Sequence, residues 1–127
     1  MVLSLCLADD HPVFRQGLRA FLQMDRGITV VAEVGNGIEA LGAIRIHRPD
    51  VAVLDLSMPG ATGIDIANAV ASEGLGTHVV LLTMFKDREL MQQALDAGAV
   101  GYVLKDRAFV ELLAAVRSAR SETPFVS

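Results

Sequence analysis

The stretch VAVLDLSMPG, residues 51–60, decides how this chain is read. VAVL (51–54) is an apolar run of the kind that forms a buried strand. It ends on an acid, Asp55, and then Ser, Met, Pro and Gly turn the chain at once. Burying an unpaired carboxylate is costly. Asp55 is therefore either an ordinary strand-end acid or one held at the mouth of the core for chemistry.

Working outward, apolar runs alternate with segments of helical period. VLSLCLA (2–8), ITVVAEV (28–34), HVVLLT (78–83) and VGYVLK (100–105) read as further strands. Helices are expected over 12–24, 38–47, 63–72, 87–98 and 109–120. The first places Val13, Phe14, Leu18, Phe21 and Leu22 on one face, with Pro12 at the first helical position. The fourth turns Leu90, Met91, Ala94 and Leu95 inward and stops at Gly98. The fifth aligns Phe109, Leu112, Leu113 and Val116. GNG (35–37) reads as a turn. Continuous apolar strands joined by helices predict an α/β fold, a parallel sheet of five strands covered on both faces. The tail SETPFVS (121–127) loses helical pattern and reads as the start of a linker, leaving 2–120 as one domain.

Composition narrows the function. The 127 residues suit one domain, and 52% hydrophobic content supplies a core without staples. A net charge of −4 argues against this segment holding nucleic acid itself. It offers no polybasic membrane anchor, and no apolar stretch is long enough to span a bilayer. The single cysteine, Cys6, lies inside an apolar strand, reads as a buried inert thiol, and fits a reducing cytoplasmic setting.

In an open α/β sheet, sites form outside the carboxyl ends of the strands. Asp9 and Asp10 stand there after the first strand, Asp55 after the third, Thr83 after the fourth and Lys105 after the fifth. The second strand ends in EVGNG, with nothing notable. Each residue alone has an ordinary reading; Asp10, for instance, could cap the first helix. Together they are hard to dismiss. Two like charges at roughly 4 Å repel by about 4 kcal/mol at an effective dielectric near 20, and one lysine cannot offset three carboxylates. The cluster calls for a divalent cation or raised pKa values. Its donors are hard oxygens with no zinc set among them, so Mg2+ fits, with Mn2+ as a substitute. An Asp beside Mg2+ and Lys also suits attack on phosphorus.

ADDHPVFRQGL, DLSMPG, LLTM and GYVLKD, taken together and in this order, resemble the receiver domain of two-component response regulators, and most the NarL/FixJ subfamily with its LuxR-type helix-turn-helix. The resemblance spans nearly the whole chain. It implies a CheY-like, flavodoxin-like doubly wound (βα)5 sheet in strand order 2-1-3-4-5. It implies a regulatory phosphoacceptor rather than a conventional enzyme, one that catalyses its own phosphorylation and dephosphorylation. Asp55 would take a phosphoryl group from a sensor histidine kinase. Asp10, Asp55 and the backbone carbonyl of Ser57 would hold Mg2+, with Asp9 acting through water. Lys105 would pair with the phosphoryl group, Thr83 would move to bond it, and Tyr102 would swing inward as an aromatic switch. The face formed by 87–98, 100–105 and 109–120 would then change shape and control transcription through a DNA-binding domain that this chain does not contain.

Two positions depart from the broad family pattern. Met84 follows Thr83 where many receivers have a small residue, and its bulk is expected to slow phosphate turnover; neighbouring Phe85 either lies on the surface or affects access. Asp106 follows Lys105 where many receivers have Pro, so a trans bond is expected there. His11 beside the acid pair is either a helix-start residue or one that acts on the site. His47 and His78 read as surface or loop residues. KDRE (86–89) reads as a solvated helix start. Small residues at Ala114, Ala115, Ser118 and Ala119 suit either packing on the sheet or a homodimer formed on phosphorylation. The competing functions are a stand-alone receiver, an interaction domain that is never phosphorylated, and an aspartyl-phosphate phosphatase. The last of these usually has an acid where Ser57 stands.

Overall fold

The computed structural model describes residues 2–120 and 123–127. Its elements run β1 (Leu3–Ala8), α1 (Pro12–Gln23), β2 (Ile28–Val34), α2 (Gly37–His47), β3 (Val51–Asp55), α3 (Gly63–Glu73), β4 (His78–Thr83), α4 (Arg88–Asp96), β5 (Gly101–Leu104), a 3-10 turn (Lys105–Arg107), α5 (Ala108–Arg117) and β6 (Phe125–Val126). All pairings are parallel and the sheet order is 2-1-3-4-5-6. The expected five-strand order is present, and a short sixth strand extends it.

Alternation along the strands builds two cores. Leu5, Leu7, Val51, Val53, Val80, Leu82 and Val103 meet Leu18 and Leu22 of α1 and Leu112, Ala115 and Val116 of α5. The residues between them, Cys6, Ala8, Ala52, Leu54, Val79 and Leu81, meet Ala40 and Ile44 of α2, Ile66 and Val70 of α3 and Ala94 of α4. Strands flanked by a core on each side must be apolar throughout, which is why their sequence shows no polar alternation.

Local chemistry sets the ends of the helices. Thr62 and Asp65 form a reciprocal capping box at the start of α3. Asn36 caps α2 by accepting from the Glu39 N–H at 2.9 Å, so part of the expected GNG turn is a helix start. Asp87 caps α4, which gives the KDRE run a structural job beyond solvation.

Two expectations need correction. Val13 is 85% exposed, and Phe109 is also exposed, so neither belongs to a buried stripe. At about 100° per residue, Val13 sits roughly 125° round the helix from the centre of the face that Phe14, Leu18, Phe21 and Leu22 share. Phe109 instead packs edge-on to Phe14 and Phe21 on the outer side of the α1–α5 contact. The tail also holds a short strand. Phe125 donates its N–H to Val100 O at 2.9 Å and Ser127 donates to Tyr102 O at 2.9 Å, so this part of the tail pairs along the free edge of β5. Apolar Phe125 and Val126 flanked by polar residues are too short a signal for a strand. Ser121 and Glu122 of that expected linker lie outside the described residues.

Candidate functional site

The carboxyl edge of the sheet gathers the acids read from the sequence. Asp9, directly after β1, is 0% exposed, and Asp55, the last residue of β3, is 4% exposed. Lys105 starts the turn after β5 and reaches across the edge with its side chain only 10% exposed. Its Nζ lies 2.9 Å from Asp9 Oδ2 and donates to Asp55 Oδ2 at 3.0 Å. The Phe14 ring stands 5.1 Å from the same ammonium and covers it from the α1 side. The other Asp55 oxygen, Oδ1, accepts from the Ser57 N–H at 3.1 Å.

His11 stands both at the start of α1 and beside the acids. It is the residue before α1, with extended backbone and no side-chain capping bond. Its ring also faces the site, with Nδ1 3.2 Å from Asp9 Oδ1, 3.2 Å from Asp10 Oδ1 and 3.1 Å from Lys105 Nζ. Asp10 does not cap the helix. The His11 N–H goes instead to Asp9 Oδ1 at 2.8 Å.

Charge balance at this edge is incomplete. Burial pushes the Asp55 carboxyl up from its ordinary value; the bonds from Lys105 and Ser57 oppose this, and the nearby charge of Asp9 reinforces it. For Lys105, burial alone would lower the ammonium, but its interactions with Asp9 and Asp55 outweigh it and the net shift is upward. Two buried oxygens, Asp9 Oδ2 and Asp10 Oδ1, receive no aligned hydrogen bond; the ammonium meets Asp9 Oδ2 only as an ion pair. Carboxylate or imidazole atoms of Asp9, Asp10, His11 and Asp55 all lie within 4.8 Å of one another. Three converging carboxylates, two of them with a buried oxygen that receives no aligned hydrogen bond, fit a hard divalent cation. Mg2+ is such a cation, and Asp9, Asp10 and Asp55 are the side chains able to hold it.

The remaining candidates lie around this centre. Thr83 is buried at the end of β4, and its Oγ accepts from the Phe85 N–H at 3.0 Å. Tyr102 is buried on the α4 side of the sheet and donates its hydroxyl to Phe85 O at 3.0 Å; burial pushes its phenol up. Met84 and Phe85 are exposed. Met84 borders a surface depression with His11, Val13, Phe14, Lys105 and Asp106. Ser57 is exposed. The bond between Lys105 and Asp106 is trans, as are all described peptide bonds.

The family described as the response regulator receiver domain matches residues 5–117. The chain belongs to the response regulator receiver family. This receiver is 38% identical over 117 residues to the oxygen regulatory protein NreC of Staphylococcus epidermidis, covering 91% of this chain and 54% of that protein. It is 39% identical over 115 residues to the nitrate/nitrite response regulator protein NarP of Escherichia coli, covering 91% of this chain and 54% of NarP. Among solved structures it superposes on the signal receiver domain of NarL from Mycobacterium tuberculosis with a TM-score of 0.91 and 38% identity, covering 95% of this chain and 98% of that one. A LuxR-family DNA-binding response regulator from Staphylococcus aureus matches with a TM-score of 0.89 and 28% identity, covering 94% and 100%. The receiver thus spans about half the length of the curated relatives it matches. No helix among the described residues is long and apolar enough to cross a membrane.

Sequence reasoning misses two supports of the site. Helical period assigns Phe14 to the core, yet it also lies against Lys105. The second strand reads as bringing nothing to the edge, yet Glu33 on β2 accepts from Arg15 Nε at 2.8 Å and from Arg19 Nη1 at 3.1 Å. The signal is present as Arg15 and Arg19, four residues apart on one helix face opposite an acid on the neighbouring strand, but only the fold brings them together.

Proposed function

We propose that this receiver is the phosphoacceptor of a two-component phosphorelay and that Asp55 accepts the phosphoryl group. One observation carries the reading: a buried Asp55 carboxylate is held by Lys105 and the Ser57 N–H at an edge where the carboxylates of Asp9 and Asp10 converge on it. The donor is a phosphohistidine on a sensor kinase. An Asp55 oxygen attacks phosphorus, the P–N bond breaks, and its electron pair stays on the imidazole, which then takes a proton. Lys105 moves from pairing carboxylates to pairing a phosphoryl oxygen. Mg2+, when bound, supplies positive charge to the phosphoryl oxygens, and Mn2+ substitutes. The Ser57 carbonyl, on the loop after Asp55, would be a further ligand for it. Water later releases phosphate and restores the carboxylate.

Phe85 links site to switch. Its N–H serves Thr83 and its carbonyl serves Tyr102. When the Thr83 hydroxyl turns to donate to a phosphoryl oxygen, the Phe85 N–H loses its acceptor and the Tyr102 anchor shifts with it. The ring is already inward in the structure. The inward ring is the position expected of the phosphorylated form, and phosphorylation shifts the balance of ring packings toward it. The backbone oxygen of Tyr102 holds Ser127, which carries the change to the tail and onward to a DNA-binding output domain. Helices α1 and α5, or the α4–β5–α5 face, serve as the dimer surface of the phosphorylated form. The working compartment is the cytoplasm.

Incubation of the chain with Mg2+ and acetyl phosphate, read by intact mass, tests the reading. One phosphoryl adduct that needs the metal is expected; an unmodified mass at saturating donor overturns it. Met84→Ala is expected to speed both uptake and loss of the adduct, because Met84 borders the surface beside Lys105. Unchanged rates in both directions would remove Met84 from the account of access.

A further inference from the structure

We propose that Arg15 is a positioning residue for the acid pair, held in place by Glu33, so that β2 takes part in setting the cation affinity of the site. The inference rests on the reading of Asp9 and Asp10 as cation ligands.

Arg15 lies on α1, one turn beyond the acids. Its Nη1 donates to the backbone oxygen of Asp9 at 2.7 Å, and its Nε donates to Glu33 Oε2 at 2.8 Å. Both side chains of that ion pair are largely buried, at 19% and 16% exposure. Arg15 holds the Glu33 carboxyl below its usual range, with Arg19 assisting, so Glu33 stays charged. Gly35 makes room for the fork: a Cβ there would lie 3.0 Å from Arg15 Nη1.

The bond to Asp9 O matters because of what that oxygen controls. The peptide joining Asp9 to Asp10 is planar. Fixing its oxygen fixes the plane, and with it the direction in which Asp10 leaves β1. On the other side, Asp9 N donates to Val34 O at 3.2 Å. The Asp9 backbone is thus clamped at both ends, once by β2 and once by a guanidinium that β2 anchors. A planar fork can bridge two acceptors in this way, whereas an ammonium is a single point charge. Groups that orient metal ligands typically change metal affinity by about 10–100-fold when removed.

Mn2+ binding provides the test, read from the electron paramagnetic resonance signal of the free ion, alongside the acetyl phosphate reaction. Arg15→Gln is expected to weaken Mn2+ binding about tenfold. Glu33→Gln, which keeps Arg15 but loosens its anchor, is expected to weaken it by a smaller factor and serves as the second variant if Arg15→Gln does not fold. Arg45→Gln, which removes the exposed Arg45–Glu73 pair, is the control and leaves the constant unchanged. Wild type that binds Mn2+ and takes phosphoryl, while both site variants bind as tightly as wild type, overturns the positioning role and leaves the site reading intact. Tighter binding by Arg15→Gln overturns it too, since Arg15 would then act as a repelling charge. Wild type that binds no Mn2+ and takes no phosphoryl overturns the site reading itself.

Discussion

Asp55→Asn is expected to take no phosphoryl group and, with metal chelated at neutral pH, to melt at a higher temperature than the wild type. The first effect follows from the acceptor role, since a neutral amide oxygen cannot replace the carboxylate as nucleophile. The second follows from burial. Burial is the largest influence on Asp55 and raises its pKa in the folded chain above the ordinary 3.8. Between those two values the folded protein holds a proton that the unfolded chain has released. Stability therefore falls as pH rises through that window, and the loss persists above it. Asn has no charge to bury and escapes that loss. Each 1 kcal/mol regained moves the midpoint of a domain of this size by roughly 4 °C. The gap should close as pH falls toward the ordinary carboxylate value. It should also narrow when Mg2+ is added, because a cation that binds only the folded chain stabilises the variant with three carboxylates more. Thermal melts in EDTA and in Mg2+, stepped in pH, check both directions. A variant that melts lower than wild type at every pH would mean that the Lys105 bond outweighs burial. An adduct retained on Asp55→Asn would place the acceptor elsewhere.

This opposition of stability and function explains which parts of the molecule are readable from sequence. Buried strands such as 51–54 and 78–83 are written in uninterrupted apolar runs, because each must satisfy a core on both faces. The site is readable because it breaks that pattern: acids, a hydroxyl and an amine interrupt the runs at one end. A chain selected for stability alone would not leave Asp9 and Asp55 buried side by side.

Other features are invisible until the fold joins distant segments. The value of Arg15 depends on Glu33, eighteen residues away on a strand, and a guanidinium on a helix looks solvated in one dimension. Phe85 acts through its backbone, so its side-chain identity gives no hint that it ties Thr83 to Tyr102. The β6 pairing needs only two apolar residues and borrows its partner from β5. Val13 departs in the other direction. Its apolar character suggests the buried face, but at about 100° per residue it lies roughly 125° from the centre of that face, so its exposure follows from the helical period itself.

Gly37→Ala should be among the most destabilising single-methyl changes in the chain, while Gly42→Ala on the same helix should stabilise it. Gly37 opens α2 against the loop that follows Asp55. Its N–H donates to Pro59 O at 3.0 Å, and an added Cβ would lie 2.0 Å from Ala61 O and 2.7 Å from the Ala61 N and C atoms. These are backbone atoms, so no rotamer change relieves the clash; either the helix start or residues 59–61 must move. Overpacking costs about 1–3 kcal/mol and occasionally more, and a rigid obstacle puts this change at about 3 kcal/mol. A Cβ added at Gly42 would have no heavy atom within 4 Å, and the residue lies inside the helix, where Ala is favoured over Gly by about 0.5–1 kcal/mol. Urea midpoints of the two variants should therefore shift in opposite directions. The same loop carries Ser57, which bonds Asp55 Oδ1. Gly37→Ala should accordingly slow phosphoryl uptake under conditions where it is still folded, and Gly42→Ala should not. If Gly37→Ala unfolds at the wild-type midpoint, the loop after Asp55 is free of α2 and the acid is positioned by β3 alone. If instead both the midpoint and the uptake rate fall together, α2 acts as the floor on which the phosphoacceptor loop rests.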